Sequence, residues 1–320
     1  MTSSPLLSTL ARATALVSTL LGLVAGAAGP VRAEPVRTLL LAYPTPPEQR
    51  TFAEHLTLLW RGANQPTTER LALELGGEAT ARLRLVERGR GDFTPVTSAE
   101  AARLLPARPA LSVLGVLWPE LLHAVTAGPD PQTVGLPLTA SVRVTPGAGY
   151  AFDALVEWSL DKPEQLRLLG MAPPLAEQTA PFAGLDGDVL LFSAPAPLAA
   201  LSEALAAPGS RLRLVPFSGR LVEDFKLIYP WLQSVNVARG AYPAMSRNMV
   251  LPARYLVLVG RLDLPGPTVA KLVRTLYKKG SAVGEDAPLL AGLEAERNAL
   301  FGKLLRFHAE AARAYGLDAP

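Results

Sequence analysis

Three observations predict an α/β fold. Apolar runs of strand length alternate with helical stripes from one end of the chain to the other. The hydrophobic fraction of 49% is ample for a packed core and excludes a disordered chain. The 320 residues include no Cys, which excludes a disulfide framework, a thiolate zinc site, a Cys nucleophile and a lipoprotein anchor.

The elements follow in order. Residues 36–43 (VRTLLLAY) read as the first strand. A Pro-rich turn leads to a helix over 48–60, where Phe52, Leu56, Leu59 and Trp60 recur at i, i+4, i+7 and i+8. Short strands are expected around 82–86 and 93–96, then a helix over 98–105 started by Ser98 and Glu100. Residues 110–118 form a strongly apolar strand. The middle of the chain repeats this logic, with a strand at 141–145, a Pro-Gly-Ala-Gly loop at 146–149 and a helix at 150–160. A strand at 188–194, a helix at 198–206, a strand at 211–217 and a helix at 221–232 come next. The segment 236–249 is punctuated by Gly and Pro and reads as a loop, followed by a strand at 254–259. Val269, Leu272, Val273, Leu276 and Tyr277 make a clean helical stripe after Pro267. A last helix over 305–315 stops at Gly316.

The first 33 residues read as an address. Residues 13–31 carry no charge, lie between Arg12 and Arg32, and precede a small-x-small site at Val31-Arg32-Ala33. This is the pattern of a secretory signal, and an uncleaved membrane anchor is the alternative. Either way the remainder is expected outside the inner membrane, in the periplasm. Removing 33 residues leaves 287, a length for one large or two medium domains. Only Arg12 and Arg32 are lost from the 31 basic side chains, so 29 remain against 28 acidic ones. The mature chain is nearly neutral, which removes the electrostatic case for nucleic acid.

Catalytic signatures are missing. His55, His123 and His308 are isolated, with no metal-ligand spacing, so no metal and no cofactor are expected. The sequence has no G-x-S-x-G elbow and no phosphate-binding P-loop. No enzyme activity is expected. The strand–PGAG–helix unit is the one local feature with chemical meaning, because a helix start offers free N–H groups to an anion. A plain glycine turn is the alternative reading of the same residues.

Five collinear blocks carry a family resemblance: RGDFTPVTSAEAARL at 90–104, LSVLGVLWPELLHAV at 111–125, VRVTPGAGYAF at 142–152, GLDGDVLLFSAPAPLAAL at 184–201 and RFHAEAARAYG at 306–316. Together they resemble the solute-binding receptors of tripartite (TRAP) transporters, of the TAXI type. The resemblance implies a two-lobed periplasmic binding protein type II-like fold with a hinge crossed twice. Lobe I would be 34–127 with 240–320, and lobe II 128–239. It implies a small organic-anion solute, an amino acid or carboxylic acid, held between the lobes and handed to TRAP-type membrane permease subunits. The chain departs from the family where Ala42-Tyr43-Pro44-Thr45 replaces a Gly-rich loop. It departs again where only Gly76-Gly77 remains of a Ser-Gly-Gly segment, and where Ala148 and Tyr150 stand for Ser and Thr. These departures point to a larger, less polar ligand or to a degenerate domain serving as a sensor or scaffold without transport.

In such a fold the contacts come from strand ends and helix starts. The candidates are Tyr43, Thr45, Thr97 and Ser98 from lobe I, and Gly147, Ala148, Gly149, Tyr150 and Ser193 from lobe II. Tyr242 in the returning loop is placed to close over a ligand. Thr97 and Ser98 read equally as carboxylate donors or as helix caps. Arg239 and Arg247 in the same loop read as carboxylate partners or as solvated side chains.

Overall fold

The computed structural model describes residues 36–43, 45–62, 69–128, 140–151, 166–175, 178, 180–185, 187–243, 245–279 and 292–317. The signal expected at 1–33 and most of the helix expected at 150–160 lie outside them. The elements run β1 (Val36–Leu41), α1 (Pro47–Gly62), β2 (Arg70–Leu75), α2 (Ala79–Glu87), β3 (Phe93–Thr97), α3 (Ser98–Leu104), β4 (Leu111–Ala127), β5 (Ala140–Val144) and β6 (Leu166–Met171). Then come β7 (Val189–Ala194), α4 (Ala199–Ala206), β8 (Leu212–Leu214), α5 (Gly219–Ile228), β9 (Gln233–Val237), β10 (Met249–Arg261), α6 (Gly266–Arg274) and α7 (Ala309–Tyr315). The strands form one mixed sheet in the order β2-β1-β3-β10-β4-β7-β5-β6, with β8 beside β4 and β9 beside β10.

Two long strands organise this sheet. β4 is buried along almost all of its 17 residues, which is why its sequence is one apolar run without alternation. Its first part pairs antiparallel with β10, from Arg261↔Leu111 to Ala253↔Leu121. From Leu121 onward it pairs with β7 instead. β10 makes the reverse exchange, leaving β9 at Ala253 and running on against β4 and β3. Pro119 has no N–H for a ladder, and it sits beside the register shift between Tyr255 and Val257. The chain thus crosses twice between its halves at the Leu121/Ala253 level.

Helices cover both sheet faces. On one face α1, α6 and α7 bury Phe52, Leu56, Trp60, Val269, Leu272 and Ala311 against Leu39, Leu117 and Leu258. The other core is larger and runs from Leu83 and Val86 to Phe192, Phe225 and Tyr242. The stripe read in α6 is the buried one, and α7 ends at Gly316 in the left-handed conformation (φ 66°).

The strand expected at 82–86 is a helix, α2. Its alternating Arg and Leu imitate a period of two, but Ala79, Arg82, Leu83 and Val86 are the buried set, a spacing of 3.6. The strand of this region is β2, one segment earlier. The loop expected from 236 begins while β9 is still paired with β10.

Candidate functional site

A polar cleft of about 350 Å³ opens between the strand ends of the first half and the crossing strands. It is lined by the turn after β1, the first turns of α1 and α2, the end of β3, the start of α3, and Glu120 and Arg254.

Arg82 is its most unusual residue. The side chain is only 4% exposed. Its guanidinium donates from Nε to Thr94 Oγ1 at 2.9 Å, from Nη1 to the Gly77 carbonyl at 2.5 Å and from Nη2 to the Pro95 carbonyl at 2.9 Å. All three acceptors are neutral, and Arg82 has no carboxylate in an ion pair among the described residues. Burial holds its pKa below the ordinary arginine value, partly opposed by the charge of Glu100. Two glycines make room for this arrangement. A Cβ at Gly76 would stand 2.7 Å from Arg82 Cγ, and Gly77 turns its carbonyl inward with φ at 75°.

Arg254 and Glu120 form the floor. They face each other directly across β10 and β4. Arg254 Nε and Nη2 both reach Glu120 Oε2, at 2.8 and 2.6 Å. Burial alone would lower the Arg254 pKa, but Glu120 and Tyr150 hold it above the ordinary value. Acceptors gather nearby. Glu100 Oε2 takes the Thr97 N–H at 2.8 Å and the Thr97 hydroxyl at 3.0 Å, a capping box at the start of α3. Burial, then repulsion from Glu120, raises the pKa of Glu48 in the first turn of α1. Gln49 is 8% exposed, lines the cleft and keeps its Oε1 buried without a hydrogen-bond partner.

The residues proposed from sequence fall into three groups. Tyr43 (68% exposed) and Thr97 line the cleft, though the Thr97 hydroxyl also caps α3 by accepting from the Glu100 N–H at 3.1 Å. Thr45 turns its hydroxyl onto the Ala42 carbonyl at 2.5 Å. Tyr150 and Ser193 meet at 3.2 Å, and the Arg254 guanidinium lies 5.7 Å from the Tyr150 ring centre. That ring also packs edge-on against Trp231 and Tyr229. A Cβ at Gly147 would stand 3.7 Å from Arg254 Nη2, so the glycine turn abuts the same guanidinium. The Ala148 and Gly149 N–H groups bond back to Thr145 and Pro146, and Ala148 is fully buried.

The remaining two lie inside the core. Ser98 is fully buried, accepting from the Tyr255 N–H at 3.1 Å and donating to the Trp231 carbonyl at 3.3 Å. Tyr242 is 1% exposed and its hydroxyl donates to His123 Nε2 at 2.8 Å, while the Leu198 N–H donates to it at 3.0 Å. Arg239 is exposed, and its N–H donates to Asn248 Oδ1 at 2.9 Å. Arg82, Gln49, Glu120 and Arg254 were not singled out from sequence. The helical spacing of Ala79, Leu83 and Val86 was the available signal for Arg82, because it puts the arginine on the buried side of a helix.

Neither a family model nor a curated protein matches the sequence. Solved structures do match in fold. The probable amino-acid ABC transporter extracellular-binding protein ytmK of Bacillus subtilis superposes with a TM-score of 0.50 at 8% identity, over 80% of this chain and 96% of that one. The periplasmic VFT2 domain of BvgS from Bordetella pertussis gives 0.42 at 12% identity, over 81% and 91%. The reduced OxyR regulatory domain from Pseudomonas aeruginosa gives 0.40 at 12%, over 76% and 98%. At such identities the likeness is one of fold: α/β, two-lobed, of the type II periplasmic-binding-protein kind.

Proposed function

We propose that this chain is a non-enzymatic, exported solute-binding receptor that holds a small organic acid in the cleft beside Arg82. It would deliver that solute to TRAP-type permease subunits in the membrane. Arg82 is the observation that carries the reading. A buried cation held only by neutral acceptors is costly, and an anionic ligand offsets that cost. The three fixed hydrogen bonds orient the fork before a ligand arrives, as a carboxylate anchor requires. The facing acceptors favour an amino acid over a plain carboxylic acid. Glu100 and Glu120 on the lining, beside the unpartnered Gln49 oxygen, supply the negative charge and the acceptor that an ammonium group needs.

The test is calorimetric titration of the full chain with glycine, L-glutamate, succinate and acetate, repeated with Arg82→Lys. Saturable binding of an amino acid is expected, weakened at least about 30-fold in the variant, the cost of disturbing a buried hydrogen-bonded charge. Binding that is indifferent to Arg82 would overturn this reading. One observation favours the second reading, a domain that has lost solute transport. The Tyr150 ring, packed among Tyr229, Trp231 and Arg254, stands where the family resemblance places a small hydroxyl. Under that reading none of the four solutes binds.

A further inference from the structure

The sheet ends at β2, and among the described residues no strand pairs with its outer edge. An open edge is a template for another chain unless Pro, a bulge or charged side chains blunt it, and charges blunt it least where the partner strand sets an opposite charge against each. β2 has neither Pro nor bulge. Its six residues stay in unbroken parallel register with β1, from Arg70 to Leu75. Two apolar side chains are exposed on it, Leu73 at 37% and Leu75 at 61%. Its two charges, Arg70 and Glu74, have opposite sign and are both exposed.

The segment Arg70-Leu71-Ala72-Leu73-Glu74 is self-complementary when reversed. Laid antiparallel on itself about a two-fold axis through Ala72, it sets Arg70 opposite the partner's Glu74 and Glu74 opposite the partner's Arg70. Leu71 and Leu73 then face each other in both directions, and Ala72 faces its own copy. Directly opposite residues share one sheet face with their Cβ atoms about 4.5–5.5 Å apart, close enough for opposite charges and apolar pairs to stabilise the ladder. An axis normal to the sheet also keeps the leucine face continuous, and the interface closes on itself as an isologous dimer requires.

We propose that the protein pairs with a second copy of itself, edge to edge along antiparallel β2 strands, with the two-fold axis at Ala72. Six residues a side make a small interface, so the dimer is of the weak, concentration-dependent class. This surface is independent of whatever the cleft holds.

The absence of Cys gives a direct test, because Ala72→Cys introduces the sole thiol of the chain. Opposite residues of an antiparallel ladder have Cα atoms about 4.5–5.5 Å apart, inside the range a disulfide spans. Mild oxidation of that variant should give a covalent dimer, and Leu227→Cys, at a site 81% exposed and remote in sequence, should not. In sedimentation, Arg70→Glu should weaken dimerisation at least about tenfold by placing like charges opposite each other. The double change Arg70→Glu with Glu74→Arg should restore it, which also separates a lost interface from a lost fold. A monomer at every concentration, equal cross-linking at position 227, or a dimer indifferent to the charge reversal would each overturn the proposal.

Discussion

His123 shows how far a neighbourhood can move a single side chain. It is fully buried on β4, stacked on Phe192 with ring centres 5.0 Å apart. Nδ1 donates to the Leu121 carbonyl at 2.9 Å, so Nε2 of the neutral ring accepts from Tyr242. Burial pushes its pKa down to about 4, only partly opposed by the bond to Leu121. The unfolded chain takes up this proton below about 6.5 and the folded chain only near 4. This contribution to stability is therefore complete above pH 6.5 and is lost as the pH falls towards 4, by up to about 3 kcal/mol. Urea unfolding of the native chain and of His123→Gln across that range should show the excess slope in the native chain alone. Equal slopes would mean that His123 titrates normally. None of this is legible in the sequence, where His123 is one polar residue in an apolar run. Arg82 is the same kind of case, since its value comes from Thr94, Gly77 and Pro95, which only the fold brings to it.

Among the elements, those with an unambiguous period were legible and those with a mixed period were not. The first half of β4 and the α6 stripe follow from patterns of apolar residues alone, whereas the continuation of β4 from Pro119 to Ala127 was not read from them. α2 does not follow either, because Arg82-Leu83-Arg84-Leu85 alternates like a strand while lying on a helix. The pairing of β4 with β10 also escapes the pattern, and it places Glu120 against Arg254. Removing one partner of a buried pair leaves the other charge uncompensated, so Glu120→Gln should cost about 3 kcal/mol in equilibrium unfolding. A cost below about 1 kcal/mol would show that the pair is effectively solvated. Close packing between the same elements makes a second prediction. A Cβ at Gly260 of β10 would meet Leu114 Cδ1 at 2.6 Å and the Asp92 carbonyl at 2.9 Å, and backbone cannot yield as a side chain does. Gly260→Ala should destabilise by about 1–3 kcal/mol in the same assay.

At the scale of the molecule, the α/β class agrees with the alternation of segments in the sequence, and the two crossings agree with the fold that the family resemblance implied. β4 and β10 pass between the halves, and the cleft opens on the first-half side of the point where they change partners. The contact residues were less legible. Tyr43 and Thr97 reach the cleft, whereas Ser98 and Tyr242 serve the core, because strand ends and loops look alike in sequence whichever way they face. The charged lining came from residues that composition alone treats as surface. Differential scanning fluorimetry of the full chain against amino acids and carboxylic acids tests whether this lining binds a small organic acid. A ligand at 100 times its Kd should add about 2.7 kcal/mol of apparent stability. A saturable rise in Tm is expected with at least one amino acid, reduced in Arg82→Lys. An unmoved Tm across the whole panel would contradict it.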